Sequence, residues 1–498
     1  MRRTLYQKFR QKNAWTQIGR RLRGGILCCC IGFSTLPLTG QAAEPSLPIL
    51  TDSTSSIISL QDEHKLGRAW ARVLRGRAVL LDDPMVKQYL QDLLWRIVPS
   101  SELRDRRLEL ITLDNETFNA FAVPGGIVGV HGGLITASES EAELASVLAH
   151  ELAHLSQRHY AQQLEESRRN RPLVLAGVLA SILLASADGE AGTAGLASTL
   201  GGSASAQLAF SRRNEQEADR VGMQTLVKSG FDPYAMPEMF SRLQKSYRFA
   251  GNRAPEFLLT HPVTESRIAD SLNRAAHLNR PSAKDNSLVY DLVRTRLLVH
   301  YGKDMNALFN QFSNDAKSSP RDAYGLLLTA IELGKPKQAQ AALDMLPRAW
   351  QQHPYVRLTA LDFYLRTDNI EAGVKLAREL HDLYPGSMPV TYYYGLALRQ
   401  ARDYKGAADA FKELTSDYPT DAAFWFQLSE TQGLDGNIAA VHRSRIEYFL
   451  LTGRIDRAQK QLDYARREKG LSPIDTARLD QMEEEIKRVR QEMDDTLS

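Results

Sequence analysis

Residues 147–155 read Val147-Leu148-Ala149-His150-Glu151-Leu152-Ala153-His154-Leu155. This run is apolar except for two histidines and a glutamate. Residues four apart on an α-helix lie on the same face, so His150 and His154 can each direct one ring nitrogen at a single ion. Glu151 lies about a hundred degrees further round the helix, beside that ion. The pattern predicts a buried helix that carries a metal site.

The motif is the H-E-x-x-H of zinc hydrolases, in which both histidines bind the metal and the glutamate takes a proton from the attacking water. Ser140-Glu141-Ala142-Glu143 precedes it and has the pattern of a capping box, so we expect the helix to begin there. The alternative is a core helix with two hydrogen-bonded histidines and no metal. A third ligand elsewhere in the chain favours the metal site.

The acidic stretch Asn214-Glu215-Gln216-Glu217-Ala218-Asp219 offers that third ligand. Glu215 and Asp219 are four residues apart and share a helix face, so one can bind the metal while the other hydrogen-bonds a ligand histidine. Two histidines and one carboxylate leave the fourth zinc position open for water, as in catalytic sites. If Glu215 is not the third ligand, Glu217 is the next candidate.

Together the two motifs resemble the signature of the M48 metallopeptidases, which joins H-E-x-x-H to a later E-x-x-A-D. The resemblance implies one zinc ion held by His150, His154 and Glu215, with Glu151 as the general base and Asp219 as the partner of a ligand histidine. It extends over nearly the whole chain to the periplasmic branch of that family, which carries tetratricopeptide repeats.

Three further residues match the family pattern. Asn119 matches an asparagine that holds the substrate backbone, and a turn asparagine is the alternative. His261 and Arg267 match, in type and spacing, two residues that flank the metal. His261 would be either a fourth ligand that closes the resting site or a donor to the tetrahedral intermediate, and the two roles predict opposite effects of mutation. An unrelated surface histidine is the third interpretation.

The N-terminal residues 1–43 have the order of a secretory signal peptide: eight Lys or Arg and no acid, then an apolar run from Ile26 to Leu38, then small residues. All three cysteines (28–30) lie there, so the exported chain has no disulfide. Leu27-Cys28 permits a lipoprotein interpretation, although the residues before it form a poor lipobox. Without this segment 54 basic residues face 59 acidic ones, a net charge of about −5, which does not suggest nucleic-acid binding.

The segments around the motifs predict a small sheet among helices. Residues 61–99 have helical periodicity, 108–113 read as a strand, and 121–130 read as a hairpin broken by Pro124-Gly125-Gly126. An edge strand beside the zinc helix would let an extended peptide lie across the metal. The apolar run 173–187 is too short to span a membrane and predicts a buried helix, a hairpin arm or a membrane-surface element. The Gly/Ala/Ser-rich segment 189–205 is a candidate lid or membrane-facing loop.

The last third of the chain has an internal period. Pro385 and Pro419 are 34 residues apart, which is the tetratricopeptide period and gives repeats starting near 320, 354, 388 and 422. Beyond 422 we expect the register to slip, and from Glu483 we expect a charged, solvated tail. Such repeats stack mainly on one another and bind partner segments on a curved surface.

The predicted fold class is therefore α+β and mostly α. A zincin-like metallopeptidase domain with a small sheet (44–283) precedes an all-α tetratricopeptide solenoid (284–482) and a tail (483–498). The resemblance implies a periplasmic zinc metalloendopeptidase that acts on misassembled outer-membrane β-barrel proteins, with the β-barrel assembly machinery as partner and peripheral contact with the membrane. Two alternatives are a non-proteolytic chaperone or scaffold that uses the repeats alone and a zinc hydrolase for small molecules.

Overall fold

The computed structural model describes residues 59–166, 211–249, 256–281, 287–469 and 471–497. The predicted signal peptide, the apolar run 173–187 and the segment 189–205 lie outside the described residues. Within the described ranges, no helix combines the length and apolar character that crossing a membrane requires.

Two helices open the described chain, as the periodicity of 61–99 predicts. Helix α1 (Leu60–Arg77) starts with a capping box, in which the Ser59 hydroxyl accepts the Asp62 N–H at 3.1 Å and the Asp62 carboxylate accepts the Ser59 N–H. Helix α2 (Pro84–Ile97) is capped by Asp83 and has proline at its first position, where no backbone donor is needed.

A three-stranded sheet follows, with strands β1 (Glu109–Leu113), β2 (Ala120–Val123) and β3 (Ile127–His131) in the order β1-β3-β2. Strand β3 pairs parallel with β1 and antiparallel with β2, so the predicted strand and hairpin are confirmed. The outer side of β1 is bonded to the preceding loop, where the Leu81 N–H donates to Thr112 O at 3.0 Å. The outer side of β2 lies against the H-E-x-x-H helix.

That helix is α4 (Glu141–Ser156), which follows the short helix α3 (Gly132–Ala137). The Ser140 hydroxyl accepts the Glu143 N–H at 3.1 Å, as the sequence predicts. The Glu143 carboxylate, however, accepts the N–H of Glu139 at 2.6 Å instead of that of Ser140, so the second bond of the predicted capping box is displaced by one residue. Most of α4 is buried, as expected for a helix that carries a metal site.

Five more helices follow in this part of the chain: α5 (His159–Glu166), α6 (Arg212–Lys228), α7 (Ala235–Phe249), α8 (Glu256–Thr260) and α9 (Glu265–Ala276). Helix α6 packs closely along α4 at Gly222. A Cβ atom at Gly222 would lie 3.1 Å from the Ala149 carbonyl oxygen and from the His150 Cα. This close approach brings the α6 carboxylates within reach of the α4 histidines.

The remaining helices are α10 (Leu288–His300), α11 (Met305–Asp315), α12 (Pro320–Glu332), α13 (Pro336–Met345), α14 (Arg348–Gln351), α15 (Pro354–Arg366), α16 (Ile370–Leu383), α17 (Met388–Gln400), α18 (Tyr404–Asp417), α19 (Ala422–Leu434), α20 (Ile438–Leu451), α21 (Ile455–Ala465) and α22 (Pro473–Leu497). Helices begin at 320, 354, 388 and 422, where the repeats are predicted to start, and their partners begin at 336, 370, 404 and 438. The register does not slip beyond 422, because the next two helices begin at 455 and 473, within one residue of the same period. A small sheet among helices followed by a helical solenoid confirms the predicted fold class.

The C-terminal helix corrects one expectation. Helix α22 runs without a break across the predicted boundary at 482, and its residues Leu479, Ile486 and Val489 are buried. They share a small core with Leu462 of α21. The prediction of a solvated tail is therefore wrong, because apolar residues recur at helical intervals among the charges.

The repeat helices pack chiefly on one another, as expected, but they also contact helices that precede residue 284. Leu94 of α2, Leu297 of α10 and Tyr393 of α17 belong to one buried hydrophobic cluster. Polar contacts join the same parts of the chain: Tyr290 donates to Ser138 O at 2.7 Å. Helices on both sides of the predicted boundary between 283 and 284 therefore share a core. The boundary itself stays a prediction.

Candidate active site

Four buried side chains from three parts of the chain meet beside α4. His150, His154, Glu215 and His261 each place one nitrogen or oxygen within 4.8 Å of the others. The Nε2 atoms of His150 and His154 are 3.0 Å apart, and the Glu215 carboxylate lies 3.5 Å from each of them. The two sequence motifs, 61 residues apart at Glu215 and His154, are thus joined in space.

This donor set fits zinc. Bonds of about 2.0–2.1 Å in a tetrahedron place neighbouring donor atoms roughly 3.3–3.4 Å apart, close to the separations observed between the two imidazoles and the carboxylate. Imidazole nitrogen and carboxylate oxygen are donors that zinc prefers. The residues present therefore form a cradle of suitable size and chemistry for one zinc ion.

Asp219 and Arg267 support the cluster from behind. Asp219 Oδ1 lies 3.1 Å from His150 Nδ1, on the side of the ring that faces away from Glu215. The Arg267 guanidinium donates Nε and Nη2 to Asp219, each at 2.7 Å, and places Nη1 2.7 Å from Glu215 Oε2. It also lies over the Phe240 ring, 4.9 Å from its centre. One buried arginine therefore orients two carboxylates at once.

Glu151 lies between the cluster and the sheet. The backbone N–H of Ala122 on β2 donates to its carboxylate, while Glu151 Oε1 is buried and has no hydrogen-bond partner among the described residues. Burial raises the pKa of Glu151 against the opposing effect of His261 and His150. A carboxylate with a raised pKa and one open oxygen is suited to accept a proton from water and release it again.

His261 reaches the cluster from the loop after α8. Its Nδ1 lies 2.9 Å from Glu215 Oε1 and its Nε2 lies 3.7 Å from Glu151 Oε1. The Phe257 ring stacks on the imidazole at 4.8 Å between centres. His261 is 2% exposed, so the interpretation of an unrelated surface histidine is wrong.

Comparison with known proteins agrees with this geometry. Residues 84–275 match the model of Peptidase family M48. The chain is 32% identical to the Beta-barrel assembly-enhancing protease of Escherichia coli K12 over 480 residues, which cover 95% of this chain and 98% of that protein. The chain belongs to peptidase family M48. It is a zinc metalloendopeptidase.

Two other relatives delimit the similarity. A Putative beta-barrel assembly-enhancing protease of Vibrio cholerae is 33% identical over 439 residues, or 87% of this chain and 90% of that protein. The Mitochondrial metalloendopeptidase OMA1 of Schizosaccharomyces pombe is 33% identical over 188 residues, or 36% of this chain and 50% of that protein. Similarity to the proteins named beta-barrel assembly-enhancing proteases therefore extends over most of the chain, whereas similarity to the OMA1 protein covers 36% of it.

The charged groups of this M48 site shift one another's pKa values. For His150, burial favours the neutral ring, but the hydrogen bonds and charges of Asp219 and Glu215 outweigh it and raise the pKa to about 9. Burial lowers the pKa of His154 well below its usual value. The pKa of Glu215 is well below its ordinary value because the surrounding histidines outweigh its burial. The carboxylates of Asp219 and Glu215 thus favour a positive charge at the position between them.

Asn119 directly precedes β2 and is 4% exposed. Its carbonyl oxygen accepts the His131 N–H at 3.1 Å, which continues the β2–β3 ladder. The neighbouring Phe118 contacts Phe257 edge-on at 5.4 Å, so this end of β2 touches helix α8, which directly precedes His261. The residue next to Asn119 thus contacts an element of the site.

The sequence analysis missed one buried residue beside the site. His159 is fully buried, and its Nδ1 lies 3.1 Å from His154 Nδ1. Glu217, the alternative third ligand, lies instead beside His159, with Oε2 3.4 Å from Nε2. Glu217 is two residues from both Glu215 and Asp219, so it points away from the face that they share. The sequence feature that could have indicated His159 is a third histidine, five residues after His154.

Proposed function

We propose that the protein is a periplasmic zinc metalloendopeptidase that degrades misassembled outer-membrane β-barrel precursors and assists their assembly. The observation that carries the proposal is the buried cluster of His150, His154, Glu215 and His261 next to an edge strand. Full-length similarity to proteins named beta-barrel assembly-enhancing proteases supports the substrate class. The same cluster disfavours the non-proteolytic scaffold, which needs no such site.

In this proposal His150, His154 and Glu215 are the zinc ligands and Asp219 fixes His150 through its Nδ1 atom. When bound, zinc supplies Lewis acidity, which polarises the scissile carbonyl and makes water a better nucleophile. Arg267 holds Glu215 and Asp219 in place, and its charge balances two carboxylates that are buried together.

Glu151 is the general base. Its carboxylate accepts a proton from the attacking water as the oxygen bonds to the carbonyl carbon. The proton then passes to the amine nitrogen as the C–N bond breaks. The Ala122 N–H holds one carboxylate oxygen and leaves the other facing the cluster, so the direction of proton transfer is fixed by β2.

Strand β2 and Asn119 hold the substrate backbone. The outer side of β2 faces α4, and successive residues of an antiparallel strand point their backbone groups alternately to the two sides. An extended peptide can add there only once β2 and α4 separate, because the Ala122 N–H already bonds Glu151. It would then lie across Glu151 and need no particular side-chain sequence. That property suits an enzyme whose substrates are alike in being misfolded but have no sequence in common. A hydrolase for small molecules would not need it.

His261 closes the resting site as a fourth ligand. Its imidazole already lies within hydrogen-bond distance of Glu215, and Phe257 of α8 stacks on it. These two contacts hold the ring, at the start of the loop after α8, in the cluster. A fourth protein ligand occupies the position that water needs. Cleavage therefore requires this loop to move.

The remaining assignments concern location and partners. Residues 1–43 would direct export, and the protein would make peripheral contact with the membrane. The solenoid would bind the β-barrel assembly machinery. This binding would bring unfolded precursors near the active site. The net charge of about −5 after export argues against nucleic acid as a partner.

The decisive experiment is cleavage of a stalled β-barrel precursor in export-competent cells that carry either the wild type or Glu151→Gln. We expect the wild type to remove the precursor and the variant to leave it intact while binding the same amount of zinc. Equal removal by both would establish the scaffold alternative. If the wild type cleaves neither a stalled precursor nor any other unfolded protein, a small-molecule substrate is favoured.

A further inference from the structure

Behind His154 runs a chain of two polar groups that the zinc chemistry itself does not require. The Nδ1 atoms of His154 and His159 are 3.1 Å apart, and His159 Nε2 lies 3.4 Å from Glu217 Oε2. Two Nδ1 atoms at this distance need one donor and one acceptor. If His154 uses its Nε2 on the metal side, its Nδ1 carries the proton and donates to His159, whose Nε2 proton then points at Glu217.

The geometry around this chain is specific. His159 is fully buried and its ring packs edge-on against His154 at 5.0 Å between centres. The preceding residue, Arg158, adopts a φ of +54°, in the left-handed region that residues with a side chain rarely occupy. Its guanidinium Nε donates to Glu63 Oε1 at 2.8 Å, which anchors the turn. The chain reverses there, and His159 returns under His154.

Both histidines of the H-E-x-x-H motif thus have a carboxylate behind them, and helix α6 provides both. Asp219 contacts His150 directly, whereas Glu217 contacts His154 through His159. A carboxylate behind a ligand histidine fixes its tautomer and ring orientation and increases its basicity.

We propose that His159, backed by Glu217, is a positioning residue that holds His154 in the tautomer and orientation needed to bind zinc. The inference rests on the proposed ligand role of His154. His159 does not touch substrate or metal; it acts through the hydrogen bond to His154.

Three substitutions of His159 separate its two hydrogen bonds. His159→Phe removes both. His159→Asn keeps an oxygen near the Nδ1 position, which can accept from His154, but it is too short to reach Glu217. His159→Gln keeps an amide near the Nε2 position for Glu217 but loses the acceptor that faces His154. His131→Phe is the matched control, because His131 is also fully buried yet is bonded to Thr117 and is absent from the cluster.

The test measures zinc affinity by competition with a chelator and the unfolding midpoint of the zinc-free form, in the full-length Glu151→Gln protein to prevent self-cleavage. We expect His159→Phe to weaken zinc binding roughly 10- to 100-fold, with His159→Asn less affected than His159→Gln. His131→Phe should bind zinc like the parent. A purely structural role of His159 would lower the zinc-free midpoint in all three variants without this order of zinc affinities.

Zinc affinity of His159→Phe within threefold of the parent would overturn the inference. If that variant does not fold, Glu217→Gln decides, since this half-exposed side chain can change without disturbing the core. We expect it to release zinc several times faster than the parent, and an unchanged release rate would also overturn the inference. Failure of the parent to bind one zinc would instead contradict the proposed ligands, so the two failures are distinguishable.

Discussion

Arg267 binds Asp219 through two parallel hydrogen bonds, from Nε to Oδ2 and from Nη2 to Oδ1, both 2.7 Å long. The third guanidinium nitrogen lies 2.7 Å from Glu215 Oε2. The planar fork of arginine matches a carboxylate in a way that the single ammonium of lysine cannot. This arginine therefore sets the distance between the carboxylate in the cluster and the carboxylate behind it.

We predict that Arg267→Lys retains the fold but weakens zinc binding about tenfold or more, because one ammonium cannot orient both carboxylates. Arg267→Ala should in addition destabilise the protein by roughly 3–5 kcal/mol, since it removes the guanidinium that pairs with two buried carboxylates. Chelator competition and chemical unfolding measure the two effects. Arg280→Lys is the control, because Arg280 pairs with Asp232 at the exposed surface; equal losses in both lysine variants would contradict the prediction.

The three proposed ligands make a second prediction. His150→Ala, His154→Ala and Glu215→Ala should each weaken zinc binding by orders of magnitude, because a three-ligand site loses its geometry with any one of them. Metal analysis of the purified variants measures the loss, with the exposed His300→Ala as control. Full zinc occupancy in Glu215→Ala would place the third ligand elsewhere, and the position of Glu217 beside His159 makes Glu217 a poor replacement.

The third prediction concerns His261. If its imidazole closes the resting site, His261→Ala should increase cleavage of unfolded substrates and of the enzyme itself, since the position for water is vacated. If it instead donates to the tetrahedral intermediate, the same variant should lose about 100-fold or more in kcat. Cleavage rates of a folded and an unfolded substrate distinguish the two by sign. Decreased cleavage of both would refute the closing role.

The site was predictable from sequence where spacing alone places residues together. His150 and His154 share a face because they are four apart, and Ser140 marks the start of their helix, so this part needs no tertiary information. The parallel pairing of β1 with β3 and the contact between β2 and α4 depend on long-range packing. Periodicity predicts that these strands exist, but not which neighbours they have.

Residues that act through another residue could not be predicted in the same way. His159 lies under His154 only because Arg158 takes a left-handed conformation, which no local pattern indicates. The burial of Ile486 and Val489 was hidden by the surrounding charges, although their spacing is helical. The 34-residue period predicted where the repeat helices begin, but it carried no information about the core that they share with α2.

A fourth prediction uses a half-buried carboxyl group remote from the site. Burial, with a contribution from the nearby Glu485, raises the pKa of Glu447 on α20 from 4.5 to about 7. The folded protein therefore holds this proton up to about pH 7, while the unfolded chain releases it near pH 4.5, so stability from this group falls as pH rises between the two values. Glu447→Gln should raise the unfolding midpoint at pH 8 and leave it unchanged at pH 4. Glu468→Gln, at an exposed position after α21, serves as control, and an equal rise in both variants at pH 8 would contradict the assignment to Glu447.

The last prediction concerns the shared core. A chain that ends near residue 310 keeps α10 but removes α12, which packs on α10, and α17, which packs on α2. Exposing a fully buried apolar side chain costs roughly 1.5–3 kcal/mol, so the loss of several such contacts approaches the total stability of a typical domain, about 5–15 kcal/mol. We expect this truncated protein to aggregate or to unfold at a much lower temperature than the full chain in the same Glu151→Gln background. Thermal unfolding and limited proteolysis of the two proteins measure the difference. A soluble fragment with the zinc affinity and unfolding midpoint of the full chain would show that the peptidase part folds alone and that its contacts with the solenoid contribute little to stability.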